Sequence, residues 1–284
     1  MTNTLTTPDV EPQLLGSAAL STAPIGVFDS GLGGLTVAHA IMRQLPSESI
    51  VYFGDTARVP YGPKSPDTVR RYSREICAFL LEQGVKAIVV ACNTATAHAL
   101  PALREELDVP IIGVVEPGAR AAVRASRSGR IGVIGTAGTI RSEAYVRAIR
   151  AEAPDATVLA LPCPLFVPLV EEGWTKHDAT RLIAREYLAP FVGDTVDTLV
   201  LGCTHYPLLK PLIAEIVGPN VRLIDSAEET AADTRRMLAA NDLTAADGDG
   251  DYRFIASDDP RQFLTLGQRF FGATIERVEV RTFG

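Results

Sequence analysis

Short apolar runs recur along the chain and alternate with longer amphipathic stretches. The first half contains IGVFD (25–29), IVYF (50–53), AIVVA (87–91) and IIGVV (111–115). The second half contains IGVIG (131–135), TVLAL (157–161), TLVLG (198–202) and VRLID (221–225). Continuous apolar runs of this length are typical of parallel strands buried on both faces. The pattern therefore predicts an α/β fold with mostly parallel sheets flanked by helices.

Two of the intervening amphipathic segments have clear helical signals. In residues 66–83, apolar side chains recur at three- and four-residue steps, and Gly84 is placed to end the helix. Residues 226–241 form the second segment, where Ser226 and Glu229 have the spacing of a capping box. We predict a helix in each segment.

The two halves of the chain form an internal repeat. Three strings in the first half match three in the second half, in pattern and in the same order. PIGVFDSGLGGLT corresponds to RIGVIGTAGTIRS, KAIVVACNTATAH to DTLVLGCTHYPLL, and VPIIGVVEPG to VRLIDSAEET. The separation is nearly constant, at about 110 residues, as expected for a repeated structural unit. The repeat predicts two pseudosymmetric lobes with an active site in the cleft between them.

The repeat also suggests where each lobe begins and ends. We assign residues 24–115 together with 226–284 to the first lobe and residues 116–225 to the second, because the tail follows the closure of the second lobe. Residues 1–23 are rich in Thr, Ser, Pro and Ala without a sustained period, and are predicted to form a mobile leader.

Composition narrows the class of protein. The 284 residues include 46% hydrophobic and 21% charged residues, as in ordinary globular proteins, and carry a formal net charge of −7. Nucleic-acid binding depends on clustered Lys and Arg, so this acidic chain is predicted not to bind nucleic acid. The first residues do not resemble a signal peptide, and no run approaches ~20 apolar residues, so we expect a cytoplasmic protein without a membrane partner.

Four cysteines occur in the chain, and in the cytoplasm they are expected to be reduced thiols. Cys77 lies within the predicted helix and Cys163 stands between two prolines, so both are interpreted as core residues. Cys92 and Cys203 follow equivalent strands of the repeat, where helix N-termini offer free N–H groups. At such a position we expect a lowered thiol pKa and a usable base.

Two thiols on opposite sides of one cleft suit a particular reaction. Inverting a stereocentre requires removal of a proton from one face of a carbon and delivery of a proton to the other face. GLGG (31–34) is interpreted as a tight turn that presents Asp29 and Ser30, because the other features of a dinucleotide loop are absent. The sequence thus points to a reaction in which one of Cys92 and Cys203 removes a proton from a carbon and the other delivers a proton to its opposite face.

The strings VFDSGLGG, PYGPKS, ACNTATA, IGTAGT, CPLFVPLVEEG and LGCTHYPLL resemble the motif set of glutamate racemases, in the aspartate/glutamate racemase family. The resemblance covers roughly residues 24–240. It implies a two-domain enzyme that interconverts L- and D-glutamate without pyridoxal phosphate, another cofactor or a metal, and that supplies D-glutamate for peptidoglycan. The substrate class rests on this resemblance and not on composition.

The resemblance also implies roles for individual residues. Cys203 would deprotonate L-glutamate and Cys92 would reprotonate the carbanion, with Asp29 assisting Cys92. His205 and Glu171 would assist Cys203, although the neighbouring Glu172 is an alternative to Glu171. Residues implied to contact the substrate are Asp29, Ser30, Tyr61, Gly62, Asn93, Thr94, Thr204 and His205, and the repeat adds Thr136, which is equivalent to Ser30.

Other functions stay open at this point. A related aspartate or hydantoin racemase could share the scaffold, and a redox protein with a Cys92–Cys203 disulfide would belong to a different class. The expected partners are a small-molecule substrate, glutamate, and a second copy of the chain in a homodimer. No metal is predicted, because His39, His98 and His177 lack a ligand spacing with cysteine or carboxylate.

Overall fold

Two parallel sheets organise the part of the chain that the computed structural model describes, residues 21–271 and 275–283. Of the predicted leader, residues 1–20 lie outside the described residues. The strands are β1 (Ile25–Asp29), β2 (Ile50–Gly54), β3 (Ala87–Val90), β4 (Ile111–Gly113), β5 (Arg130–Gly135), β6 (Thr157–Pro162), β7 (Thr198–Gly202), β8 (Arg222–Ile224), β9 (Tyr252–Ala256) and β10 (Glu279–Val280).

Helices connect these strands and cover both sheets. They are α1 (Leu35–Gln44), α2 (Pro66–Glu82), α3 (Asn93–Glu106), α4 (Val115–Ala125), α5 (Ala137–Arg141), α6 (Ala144–Glu152), α7 (Phe166–Glu171), α8 (Asp178–Leu188), α9 (Lys210–Val217), α10 (Ala227–Ala240) and α11 (Pro260–Phe271). Short 3₁₀ helices occupy Ala189–Phe191 and Tyr206–Leu209. Among the described residues, no helix is long and apolar enough to cross a membrane.

The two sheets share one strand order. The first sheet runs β10-β9-β2-β1-β3-β4 and the second runs β6-β5-β7-β8, so the order β2-β1-β3-β4 is repeated. All pairings in both sheets are parallel. This arrangement confirms the predicted α/β fold with parallel sheets and two similar halves. We call the layers built on the first and second sheets the first and second lobes.

The central strands are buried on both faces, which explains why their sequences are continuously apolar. Every residue of β1, β2, β3 and β7 is buried, and Ile25 and Val27 have no exposed surface. The predicted strand at 111–115 is too long, because β4 ends at Gly113 and α4 begins at Val115. Val115 instead belongs to the buried face of an amphipathic helix that packs on the second sheet.

Both predicted helices are present, but the capping box predicted for the second helix is not. Ser65 caps α2 by accepting a hydrogen bond from the Thr68 N–H group at 3.2 Å, and Gly84 follows with a φ of 72°. The predicted capping box at Ser226 is wrong, because that residue has α-helical dihedral angles and makes no side-chain cap. Ser226 is buried, and its hydroxyl is directed to Tyr145 instead.

After the second sheet the chain returns to the first. Strand β9, which the apolar pattern does not predict, pairs with β2, with Tyr252 opposite Ile50. Helix α10, which follows the second sheet, packs against α1 of the first lobe. The second sheet is therefore built from a continuous segment between β4 and β9, while the exact limits of the two lobes stay a prediction.

Candidate active site

The two cysteines at equivalent strand ends line one cavity. Cys92 follows β3 and caps α3, where its sulfur accepts a hydrogen bond from the Ala95 N–H group at 3.5 Å. Cys203 follows β7 directly. The cavity has a volume of about 20 Å³ and is lined from both lobes by Ser30, Val59, Pro60, Tyr61, Gly62, Cys92, Asn93, Thr94, Thr136, Val167, Cys203, Thr204 and His205.

Most residues implied by the resemblance line this cavity. Of those expected to contact the substrate, Asp29 is the one outside the lining, since it is fully buried behind Ser30. Glu171 also lies behind the lining and reaches the site through His205. No arginine or lysine is among the residues that line the cavity, so hydroxyls, amides and backbone N–H groups provide most of its polar surface.

The surroundings of Cys92 favour a neutral thiol. Burial and the nearby Asp29 carboxylate raise the pKa of the Cys92 thiol to about 12, against the opposing effect of hydrogen bonds from Ser30 and Ala95. The Cys92 sulfur lies 3.5 Å from the Ser30 hydroxyl oxygen. The expected lowering of this pKa is therefore wrong, because burial outweighs the helix N-terminus.

Asp29 is a buried carboxyl group at the end of β1. One oxygen, Oδ2, accepts a hydrogen bond from the Gly31 N–H group at 3.0 Å, while Oδ1 has no hydrogen-bond partner among the described residues. Burial raises the pKa of Asp29, and the charge of His205 together with backbone N–H groups opposes that rise. The group is thus available to accept a proton or a hydrogen bond from a neighbouring group of the protein.

Cys203 has the opposite electrostatic environment. Its sulfur lies 3.9 Å from Nδ1 of His205, and Nε2 of the same ring lies 3.0 Å from Oε1 of Glu171. Burial lowers the pKa of His205, but hydrogen bonds and charges from Cys203 and Glu171 outweigh that effect and raise it to about 10. An imidazolium ion beside the Cys203 sulfur attracts a thiolate. Glu172 is exposed, so Glu171 is the carboxylate that contacts the histidine.

Loops from the two lobes meet closely around the cavity. The hydroxyl oxygens of Thr94, Thr136 and Thr139 lie 2.9 to 3.2 Å apart, and the Gly138 N–H group donates to the Gly62 carbonyl at 2.9 Å. A Cβ atom at Gly33 would lie 2.2 Å from the Thr204 hydroxyl oxygen. Glycine is therefore required at this position for the lobes to approach each other.

Three residues at the site were not identified from the sequence. Asp55 accepts hydrogen bonds from Tyr61 and, at 2.8 Å, from Ser257 of the segment after β9. Thr139 completes the threonine cluster, and Tyr145 donates a hydrogen bond to Oδ1 of Asn93 at 2.7 Å. The contacts of Asp55 with Ser257 and of Tyr145 with Asn93 join residues far apart in the chain, so no local motif signals them. Thr139 lies only three residues from Thr136, within the string IGTAGT.

The described residues contain no group of three or more His, Cys, Asp or Glu side chains arranged to hold a metal ion. All four cysteines are free thiols, with Cys77 and Cys163 buried in the cores of the two lobes. The site therefore presents one neutral thiol and one thiol beside an imidazolium, on two sides of a small cavity.

Known proteins share this sequence and fold. A family model described as Asp/Glu/Hydantoin racemase matches residues 25–234. A glutamate racemase from Neisseria meningitidis is 52% identical over 92% of this chain and 97% of its own length. A crystal structure of a glutamate racemase from Bacillus anthracis has a TM-score of 0.88 and 41% identity, covering 93% of this chain and 98% of that chain. A crystal structure of a glutamate racemase from Francisella tularensis, in complex with D-glutamate, has a TM-score of 0.86 and 38% identity. It covers 92% of this chain and 98% of that chain.

Proposed function

The chain belongs to the Asp/Glu/Hydantoin racemase family. We propose that it interconverts L-glutamate and D-glutamate by proton transfer at the α-carbon, with Cys92 and Cys203 acting on opposite faces. The observation that carries this proposal is the cavity shared by the two thiols, each at the carboxyl end of an equivalent strand. A substrate α-carbon between them would present one face to each sulfur. The similarity to glutamate racemases favours glutamate over the aspartate, hydantoin and redox alternatives.

The unequal environments of the thiols define a starting state for L-glutamate. A Cys203 thiolate, stabilised by the His205 imidazolium, removes the α-proton, and the electron pair of the C–H bond stays on carbon as a carbanion. The Cys92 thiol, neutral because its pKa is raised to about 12, then protonates the opposite face. The product leaves a Cys203 thiol and a Cys92 thiolate, which is the starting state for D-glutamate.

Proton transfer on the Cys92 side needs a relay, because a thiol with a high pKa is slow to lose its proton. Asp29 is buried nearby and carries an oxygen without a hydrogen-bond partner among the described residues, so it is the group that accepts and returns this proton. His205 has the same role for Cys203, and Glu171 keeps its ring in position.

Substrate binding depends on hydrogen-bond donors aimed at the two carboxylates. Ser30, Asn93, Thr94, Thr136 and Thr204 supply hydroxyl and amide groups, while the backbone at residues 61–62 supplies the remaining wall. Donors fixed around the α-carboxylate stabilise the negative charge that grows as the carbanion forms. These groups act without a cofactor.

The cellular setting is also part of the proposal. D-Glutamate made by such an enzyme would enter peptidoglycan synthesis, which takes place from cytoplasmic precursors. The protein would accordingly act in the cytoplasm, and we propose that it forms a homodimer. Gel filtration with light scattering tests the dimer, since a monomer at micromolar concentration would contradict it.

The reaction is tested by exchange with solvent. Incubation with L-glutamate in deuterated water, without added cofactor, is expected to give D-glutamate that carries deuterium at the α-carbon. Mass spectrometry measures the deuterium, and circular dichroism measures the change of configuration. L-Aspartate and L-glutamine under the same conditions test the choice of substrate. Turnover of aspartate in preference to glutamate would contradict the proposed specificity.

Variants test the two thiols separately. Cys92→Ala and Cys203→Ala are each expected to lose about 10²–10⁴-fold in kcat for both directions, which is the usual contribution of a general acid–base group. Cys77→Ala and Cys163→Ala are matched controls and should racemise glutamate at close to the normal rate, because neither thiol lines the cavity. Normal racemisation by either Cys92→Ala or Cys203→Ala would show that the two-base assignment is wrong.

A further inference from the structure

Tyr145 contacts the immediate neighbours of both cavity cysteines. It lies on α6 of the second lobe and is 2% exposed. Its hydroxyl donates to Oδ1 of Asn93, the residue after Cys92, at 2.7 Å. Its ring packs against Gly202, the residue before Cys203, so closely that a Cβ atom there would lie 3.0 Å from ring carbon Cε2.

We propose that Tyr145 is a positioning residue that orients the Asn93 amide for substrate binding and sets the position of the second-lobe strand end that carries Cys203. The proposal rests on the proposed function, because it assigns Asn93 a contact with the substrate. Tyr145 does not line the cavity and acts through Asn93.

The orientation of the Asn93 amide follows from hydrogen-bond chemistry. The amide atom that meets the tyrosine hydroxyl is Oδ1, which can only accept, so the hydroxyl donates in this contact. The two N–H donors of Asn93 are then left for a carboxylate in the cavity. Without the tyrosine hydroxyl the amide could turn over and present its oxygen, which repels a carboxylate.

The ring of Tyr145 is held on two sides by glycines. A Cβ atom at Gly118 would lie 3.1 Å from the Tyr145 hydroxyl oxygen, and Gly202 contacts the ring as described above. Ser226 hydrogen-bonds to the same hydroxyl group. These contacts leave the ring little freedom to rotate, so the position of the hydroxyl is set by the second lobe and transmitted to a residue of the first.

Replacement of Tyr145 by phenylalanine keeps the ring and removes the hydroxyl. For Tyr145→Phe we expect KM for L- and D-glutamate to rise about tenfold while kcat changes less than about twofold, the pattern for lost binding that is equal in ground and transition states. Because the two enantiomers have equal free energies, kcat/KM must fall by the same factor in both directions, which checks the kinetics internally.

A double-mutant cycle with Asn93→Ala distinguishes positioning from general support of the fold. If Tyr145 acts through Asn93, adding Tyr145→Phe to Asn93→Ala changes KM less than about twofold, and equilibrium binding of radiolabelled glutamate gives the same result where turnover is slow. An equal tenfold loss in both backgrounds, or no change in KM for the single variant, would overturn the proposal.

Tyr206→Phe is a control for stability, because it removes a buried hydroxyl that donates to the Cys163 carbonyl at 2.8 Å. It should lower the melting temperature as much as Tyr145→Phe does while leaving KM unchanged, and a matching rise in KM would overturn the proposal. The wild-type protein is assayed first, so failure to racemise glutamate counts against the proposed function and not against the contact between Tyr145 and Asn93.

Discussion

Single residues at the cavity differ between the two halves, although the strands that carry them are equivalent. Asp29 occupies the position that the repeat gives to Gly135, and His205 occupies that of Thr94. Cys92 therefore lies near a carboxyl group, whereas Cys203 lies near an imidazole. The repeat places one thiol on each side of the cavity, and the neighbours of the two thiols carry opposite charges.

The pair His205 and Glu171 should govern the alkaline limit of activity. The pKa of His205 is raised to about 10, so the imidazolium persists through neutral pH and is lost as the pH rises through that value. Glu171→Gln keeps a hydrogen-bonding group but removes the charge that raises the pKa. We expect the alkaline fall of kcat/KM to move to lower pH, with a roughly tenfold loss at pH 9.

The measurement is a profile of kcat/KM from pH 6 to 10.5. Glu172→Gln is a matched control, since this neighbouring carboxylate is exposed, and its profile should follow that of the unmodified protein. Identical profiles for Glu171→Gln and the unmodified protein would mean that the Glu171 charge does not tune His205.

At the scale of elements, the first sheet is tied together at the amino ends of its strands by a buried ion pair. Lys86, just before β3, is paired with Glu48, just before β2, and both side chains are almost fully buried. Glu48 also accepts a hydrogen bond from the Ala245 N–H group at 2.8 Å, in the segment that leads to β9. The pair therefore joins three segments that lie far apart in the sequence.

Removal of one member of this pair should be costly for stability. Lys86→Met leaves a buried carboxylate without its partner, and we expect the free energy of unfolding to fall by about 3–5 kcal/mol. The double variant Lys86→Met, Glu48→Gln should recover part of this loss, because the remaining amide is uncharged and can still accept from Ala245. Urea denaturation followed by circular dichroism measures both effects.

An exposed pair serves as the comparison. Arg43 and Glu228 are more than half exposed, so Arg43→Ala should change the unfolding free energy far less than Lys86→Met. If Lys86→Met were as stable as the unmodified protein, the buried pair would have no role in holding the strand ends together.

The apolar runs predicted β1 to β8. Full burial explains the runs of β1, β2, β3 and β7, whereas β6 and β8 are apolar although they are only partly covered. Strand β9 was missed because Tyr252 is exposed and Arg253 interrupts the apolar pattern near the edge of the sheet. At the site, Cys92 and Cys203 could be predicted because the strand ends are local features. Tyr145 could not, because its contact with Asn93 spans 52 residues and arises only when the lobes pack.

At the scale of the whole molecule, the cavity between the lobes is narrow. Its volume of about 20 Å³ has room for roughly one water molecule, which is far less than glutamate needs. Cys92 and Cys203 are only 4% and 6% exposed. Glutamate can therefore bind only when the walls of the cavity move apart. Because residues of both lobes form these walls, we expect the lobes to separate when substrate enters.

Opening of the lobes can be followed by thiol modification. Iodoacetamide should modify Cys92 and Cys203 slowly in the native protein, and saturating glutamate should slow both reactions at least about tenfold by occupying the cavity and favouring closure. Cys77 and Cys163, which have no exposed surface, are internal controls that should react only after unfolding. Peptide mass spectrometry over time distinguishes the four sites, and unchanged rates with glutamate would contradict substrate-linked closure.

Within residues 21–271 and 275–283, the chain passes between the sheets twice, near Val114 before α4 and near Ser226 before α10, and these passages lie side by side. A Cβ atom at Gly118 would come within 3.3 Å of the Ser226 Cβ atom. If the lobes rotate about these two passages, each atom moves in proportion to its distance from them. Tyr145, which touches both passages, would move least, while the outer edge of the cleft would swing widest and admit the ligand.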